Sequence, residues 1–235
     1  ASRVYDSIEI NSQENIAIVG DAKGNITLYN TSKESIANSE RKIFTIETDY
    51  SIISPAIQLD GPNNETNYCV GNINGEIKCY ELNKGNNITL NEWGSLKFDG
   101  WIWSNIELYD DSLFLVTLSG NLYKVDVDLE GKNLNIAWEQ NIDKNGKPVS
   151  GIMIYERGNV ANSIIPFDKD KLVIAELSNG SITDELPFKD GVQSLPVMKN
   201  DFIYFVDKEN KFRSYSLIDR SQKLCFDLNE MKGCD

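Results

Sequence analysis

The order of apolar and polar positions along this chain repeats a phrase five times. A serine precedes a short apolar strand, a second apolar strand follows, and a tight turn leads into a third. The serines are Ser7, Ser54, Ser104, Ser163 and Ser194, and the turns fall at Gly24, Gly75, Gly120, Gly180 and Asn210. The serine-to-turn distances are 17, 21, 16, 17 and 16 residues. The second residue after each turn is apolar: Ile26, Ile77, Leu122, Ile182 and Phe212. Three repeats place a tyrosine at the fifth position after the turn, at Tyr29, Tyr80 and Tyr215. The third repeat divides into four strand-like segments, WIWSNIELYD, DSLFLVTLS, NLYKVDVDL and NLNIAWEQNI, separated by Asp-Asp, Ser-Gly and Glu-Gly-Lys-Asn punctuation. No stretch holds helical apolar spacing for three turns, so almost no helix is expected.

Repeats of about 40–50 residues made only of strands predict a propeller or solenoid array. Four antiparallel strands make one propeller blade. The expectation is therefore an all-β propeller of about five four-stranded blades, forming one domain over 1–235. A closed ring and part of a larger ring both fit. The chain opens at an inner-strand position, and KLCFDL near its end reads as an outer or closing strand. That phase suits a ring closed by strands from both termini, which removes exposed edges. The fourth repeat fits poorly: Gly120 to Ser163 is 43 residues and Gly180 to Ser194 only 14. It is expected to lose a strand after its turn and to carry extra residues, such as RGNVAN, before it.

One set of residues resembles a known repeat. Ser54-Pro55-Ala56 leads to Gly75-Glu76-Ile77-Lys78-Cys79-Tyr80; Trp103-Ser104 leads to Gly120-Asn121-Leu122-Tyr123 and Trp138; Gln193-Ser194-Leu195-Pro196 leads to Phe212 and Tyr215. The pattern resembles the PQQ-like β-propeller repeat, found in quinoprotein dehydrogenases and in the lipoprotein scaffold of the outer-membrane barrel-assembly machine. The resemblance covers most of the chain. It implies a fold and leaves the function open, because this propeller carries both enzymes and inert scaffolds.

The enzyme branch would require an acidic base, a Ca²⁺ held by Glu, Asn and Asp, a tryptophan floor and, in many members, a disulfide between adjacent cysteines. No adjacent cysteines occur here, and the chain is less than half the length usual for such enzymes, so no cofactor is expected. Trp101 and Trp103 are the residues that could serve as a floor. Asp126-Val127-Asp128-Leu129-Glu130-Gly131 opens like a Ca²⁺ loop, but its twelfth position is Ala137 where a bidentate Glu is needed. No pair of acids stands out for glycoside hydrolysis.

The chain contains no histidine, which removes His-based triads, His metal sites and His acid–base catalysis. Net charge is −13, from 36 acidic and 23 basic residues. That balance argues against a nucleic-acid binder, which needs a basic stripe, and against an anionic membrane surface. No apolar run is long enough to span a bilayer. No signal peptide is visible, and a targeting segment removed earlier would leave no trace.

The four cysteines form two local pairs. Cys225 and Cys234 are close enough to bridge a short loop. Cys69 and Cys79 flank the Asn-Ile-Asn-Gly turn; a three-residue turn sets them opposite, a two-residue turn offsets them by one. An even count in local pairs points to an oxidising, extracytoplasmic compartment. Five Asn-x-Ser/Thr sequons, at Asn25, Asn30, Asn64, Asn87 and Asn179, matter only in a eukaryotic secretory setting.

Trp93, Trp101, Trp103 and Tyr109 fall within 17 residues at the junction of the second and third repeats. They are the candidate binding surface, against the alternative of packing between blades. The functional expectation is a non-enzymatic, extracytoplasmic scaffold with a protein partner. A carbohydrate or cell-surface ligand binder is the alternative, and a quinone-dependent dehydrogenase the third.

Overall fold

The computed structural model describes residues 8–13, 15–32, 41–144 and 146–234. Ser7 lies outside them. Five antiparallel sheets follow one another along the chain, each built from consecutive strands. The first holds β1 (Glu9–Asn11), β2 (Ile16–Gly20), β3 (Asn25–Asn30) and β4 (Lys42–Glu47). The second holds β5 (Ile57–Asp60), β6 (Thr66–Gly71), β7 (Glu76–Lys84) and β8 (Ile88–Lys97), with one 3₁₀ turn at Pro62–Asn64. The third holds β9 (Glu107–Tyr109), β10 (Ser112–Val116), β11 (Asn121–Asp128) and β12 (Asn133–Asn141). The fourth holds β13 (Met153–Arg157), β14 (Val160–Phe167), β15 (Lys171–Glu176) and β16 (Ile182–Pro187). The fifth holds β17 (Val197–Lys199), β18 (Phe202–Val206), β19 (Lys211–Ser216), β20 (Ser221–Asp227) and the two-residue β21 (Lys232–Gly233). No α-helix occurs among the described residues.

Two compact units emerge, residues 1–118 with 124–137, and residues 119–123 with 138–235. In the first, Ile16, Ile18, Ile26 and Leu28 of one sheet pack with Tyr68, Val70, Tyr80, Leu82 and Leu90 of the next. In the second, Ile164, Leu172, Ile174 and Leu186 pack with Ile203, Phe205 and Leu217. The inner strands β6 and β10 are buried throughout, whereas the outer strands β8 and β12 are mostly half-buried or exposed.

The turn between second and third strands is the same device in several sheets. Asp21 accepts the N–H groups of Lys23 and Asn25 on its carboxylate, Asn72 those of Asn74 and Glu76 on its side-chain amide oxygen, and Asp207 those of Glu209 and Lys211 on its carboxylate. An Asx side chain three residues before the left-handed position closes the turn. That left-handed position is Gly24 (φ 86°), Gly75 (φ 73°), Gly120 (φ 77°) and Asn210 (φ 60°).

In the fourth sheet the equivalent residue is Asp170 (φ 57°), not Gly180. Gly180 is also left-handed (φ 72°), but it lies in the turn between β15 and β16. Four independent registers agree on the earlier phase. A β-bulge falls four to five residues after the turn at Leu28/Tyr29, Cys79/Tyr80, Ser214/Tyr215 and Ile174/Ala175. Isolated bridges join the residue two before the serine to the residue three before the turn: Ile52 to Asn72, Ile102 to Thr117, Pro148 to Phe167. Leu172, two after Asp170, is fully buried, whereas Ile182 is 42% exposed. With Ser150 and Asp170 in place the spacing evens out: Gly24 to Ser54 is 30 residues, Gly75 to Ser104 is 29, Gly120 to Ser150 is 30 and Asp170 to Ser194 is 24.

Two expectations therefore change. Ser163 is a buried mid-strand residue of β14 whose hydroxyl donates to the Ala175 carbonyl, and the fourth sheet keeps all four strands. The expected closure by strands from both termini involves residues 1–7, which lie outside the described residues; KLCFDL falls on β20, the fourth strand of the fifth sheet.

The serine also acquires a physical role. Ser54 Oγ accepts the Gly71 N–H at 2.7 Å and donates back to its carbonyl, and Ser194 Oγ accepts the Val206 N–H at 2.9 Å. Gly71 and Val206 both stand four residues before the turn. In the fourth sheet that position is Pro166, which has no N–H to give, and Ser150 Oγ is buried without a partner among the described residues.

The shifted phase makes a direct prediction. Leu172→Ala is expected to cost about 2–5 kcal/mol as a buried truncation, and Ile182→Ala less than about 1 kcal/mol. Denaturant unfolding of both variants checks this; the reverse order would restore Gly180 as the repeat's turn.

Candidate functional site

The segment that enters the third sheet is Phe98 to Ile106. Its burial alternates: Ile102 is fully buried, while Trp101 and Trp103 are 51% and 47% exposed. Side chains two apart on an extended segment share a face and sit about 6.6 Å apart along it. The backbone beneath them is pinned. The Ile102 N–H donates to the Asn72 carbonyl at 3.3 Å, the Trp101 carbonyl accepts the Leu118 N–H at 3.0 Å, and Ile102 bridges Thr117. Ile102 also packs directly over Gly71, where an added Cβ would lie 2.5 Å from its Cγ2.

The repeat does not require tryptophan here. The matching positions are Ser51 and Ile53 in the second sheet, Lys147 and Val149 in the fourth, and Gly191 and Gln193 in the fifth. Two half-exposed indoles on a fixed strand therefore add little to the blade. They make a rigid aromatic platform of the kind that anchors a partner.

The other two members of the sequence cluster stand elsewhere. Trp93 is a half-buried residue on the outermost strand β8, at the bulge opposite Cys79 and Tyr80. Lys132, on the β11–β12 hairpin, lies 5.8 Å from the Trp93 ring centre. Its ammonium also pairs with Glu65 at 3.0 Å and Glu81 at 3.4 Å. Trp93 is thus covered by a cation–π contact that joins two sheets. Tyr109 is half-buried at the Asp110-Asp111 hairpin, the opposite end of the sheet from Thr117 and Ile102. The structure places Trp101 and Trp103 together and brings neither Trp93 nor Tyr109 to them.

Most acids with defined partners are occupied. Asp207, 1% exposed, accepts Arg213 Nε at 2.6 Å besides its two turn N–H groups, and Arg213 also reaches Asp190 at 2.7 Å. Glu139 accepts from the Tyr123 hydroxyl at 2.9 Å and Asn121 at 2.8 Å. In the Ca²⁺-like run, Asp126 accepts from Ser112 of β10 and pairs with Lys124, and Asp128 accepts the Gly131 N–H and closes the β11–β12 hairpin. Among the described residues no three acidic or cysteine side chains are grouped to hold a metal. Burial pushes the Glu107 carboxyl on β9 above the ordinary carboxylate range, and a hydrogen bond from Asn105 partly offsets that. Burial likewise pushes up the Tyr80 phenol, helped by Glu92 and Glu76.

Both cysteine pairs are joined. Cys69 and Cys79 are direct partners on β6 and β7, 4.1 Å apart at Cα and fully buried. The turn between them is the longer of the two alternatives, which sets the cysteines opposite. Cys225 and Cys234, 5.3 Å apart at Cα, tie the β20–β21 hairpin, where the Cys234 N–H also donates to the Cys225 carbonyl.

The chain resembles the crystal structure of BamB from Moraxella catarrhalis, with a TM-score of 0.67 over 98% of this chain and 10% identity. This chain spans 63% of that protein's length. The fold is that of a β-propeller, with four four-stranded sheets and one five-stranded sheet. No family model matches the sequence, and neither does any curated protein. Among solved structures 1337 chains match, and a fold shared so widely does not select one activity.

Because one cystine is buried and the other half-exposed, the two should differ in accessibility to reductant. Mass mapping without reductant is expected to show 69–79 and 225–234 linkages. Mild reductant in native buffer should open only 225–234. Free thiols at either pair in the untreated protein would contradict the assignment.

Proposed function

We propose that this chain is a non-enzymatic propeller scaffold working outside the cytoplasm and binding protein through the segments that connect its blades. The observation that carries this is the Trp101–Trp103 pair, half-exposed on backbone that is hydrogen-bonded and backed by buried Ile102. Loops on a stiff scaffold are where such folds place recognition. The two cystines support an oxidising compartment. No helix among the described residues is long and apolar enough to cross a membrane. The carboxylates with defined partners serve turns, hairpins and ion pairs, which leaves little for a positioned acid, base or nucleophile.

Two measurements test this together. A photo-crosslinking residue in place of Asn105, introduced in the native host, is expected to yield discrete protein adducts that Trp101→Ala/Trp103→Ala abolishes. Adducts unchanged by that double variant would contradict the role of the pair. Mixing the protein with pyrroloquinoline quinone and Ca²⁺ should give neither a saturable absorbance change nor dye-linked alcohol or sugar oxidation. Saturable binding at about micromolar cofactor with dye reduction would overturn the non-enzymatic reading.

A further inference from the structure

The tryptophan pair belongs to a larger surface made by two successive entry segments and the turn between them. The turn Asn72-Ile73-Asn74-Gly75 is held on one side by the Ile73 N–H donating to the Ser51 carbonyl at 3.1 Å. On the other side the Ile102 N–H donates to the Asn72 carbonyl. Ser51 follows Tyr50, and Ile102 lies between the tryptophans. Tyr50 (42% exposed), half-buried Ile73, Trp101 and Trp103 thus lie at one end of the second and third sheets. The Tyr50 backbone is itself fixed, its carbonyl accepting from Thr48 Oγ at 3.0 Å.

The charge of this end is acidic. Asp49 and Asp99 are exposed, one residue before Tyr50 and two before Trp101. Glu76 accepts from the Asn72 amide at 3.2 Å. The bases in these turns are Lys23, exposed in the Asp21–Gly24 turn, and Lys97, whose ammonium is engaged by the Asn74 carbonyl. The 98–107 segment carries Asp99 and Glu107 and no Lys or Arg.

We propose that this end binds an extended protein segment that alternates basic and apolar side chains. The inference rests on the protein-binding reading above and names its chemistry. Lys or Arg side chains gain twice here, by lying over indole faces and by approaching the exposed carboxylates of Asp49 and Asp99. The apolar side chains between them meet Tyr50 and Ile73. The rigid platform lowers the ordering cost on this side of the interface.

The test uses the whole chain labelled with 5-fluorotryptophan, whose four indoles give separate fluorine resonances. The probe is the capped hexapeptide Lys-Leu-Lys-Leu-Lys-Leu, with versions carrying Glu or Ser in place of Lys, and maltohexaose. The basic peptide is expected to shift Trp101 and Trp103 saturably and to leave Trp93 and Trp138 in place. Affinity should drop about tenfold or more in Trp101→Ala/Trp103→Ala. It should drop several-fold in Asp49→Asn/Asp99→Asn, and again on raising salt from about 0.05 to about 0.5 M. Trp101→Phe/Trp103→Phe should retain most of the binding, which separates loss of the ring from loss of the fold. Equal binding of the Glu or Ser peptide overturns the basic partner and leaves protein binding standing. Shifts with maltohexaose and with no peptide overturn both. A basic peptide that moves neither Trp101 nor Trp103 overturns this inference alone, since crosslinking in the host reports on protein binding independently.

Discussion

The joints that link the first three sheets share one backbone hydrogen bond and the side chain that covers it. The Ile52 N–H donates to the Asp21 carbonyl at 3.0 Å, and the Ile102 N–H donates to the Asn72 carbonyl at 3.3 Å. Each acceptor is the Asx residue that closes a turn of the preceding sheet. Each isoleucine is buried and lies over a glycine, Ile52 over Gly20 and Ile102 over Gly71, where any Cβ would fall 2.3 to 2.5 Å from its methyl carbon. The glycine is needed for close approach there, and the bond satisfies polar groups that water cannot reach. Turn, entry segment and serine bridge are then one connected unit. Trp101 and Trp103 inherit their rigidity from it.

Much of this could be read in the chain, because the turn demands a residue tolerant of positive φ and the buried strands demand apolar ones. Four of the five turns announce themselves that way. The fourth misleads for a physical reason. Asp170 takes the left-handed conformation as Asn210 does, while a true but different left-handed glycine lies ten residues on at Gly180. Reading glycine as the marker moves the whole repeat, and Ser163 then happens to supply the right spacing. The signal that corrects it, a bulge four to five residues after the turn, exists only in the pairing of β15 with β16.

The candidate site was legible in the same partial way. That Trp101 and Trp103 share a face follows from the alternation around Ile102. That Trp93 is covered does not follow from its neighbours, since Lys132 belongs to a hairpin 39 residues later and also reaches Glu65, 67 residues before it. Tyr50 and Ile73 were missed because neither sits in an aromatic run. Their place beside the tryptophans comes from the Ile73–Ser51 hydrogen bond. Burial and pairing also decide what the many acids do. Asp21 and Asp207 close turns, Asp128 closes the β11–β12 hairpin, and Asp126 ties β11 to Ser112 of β10. Asp49 and Asp99 stay exposed beside Tyr50 and Trp101.

The central claim is that blade joints of this kind make the edge rigid, and amide hydrogen exchange measures that most directly. The Ile52 and Ile102 amides should exchange only through the global unfolding of the chain, tracking its denaturant dependence. Exchange of either amide at the rate of an open loop, insensitive to denaturant, would show that the joint opens locally and that the tryptophan pair stands on a mobile segment.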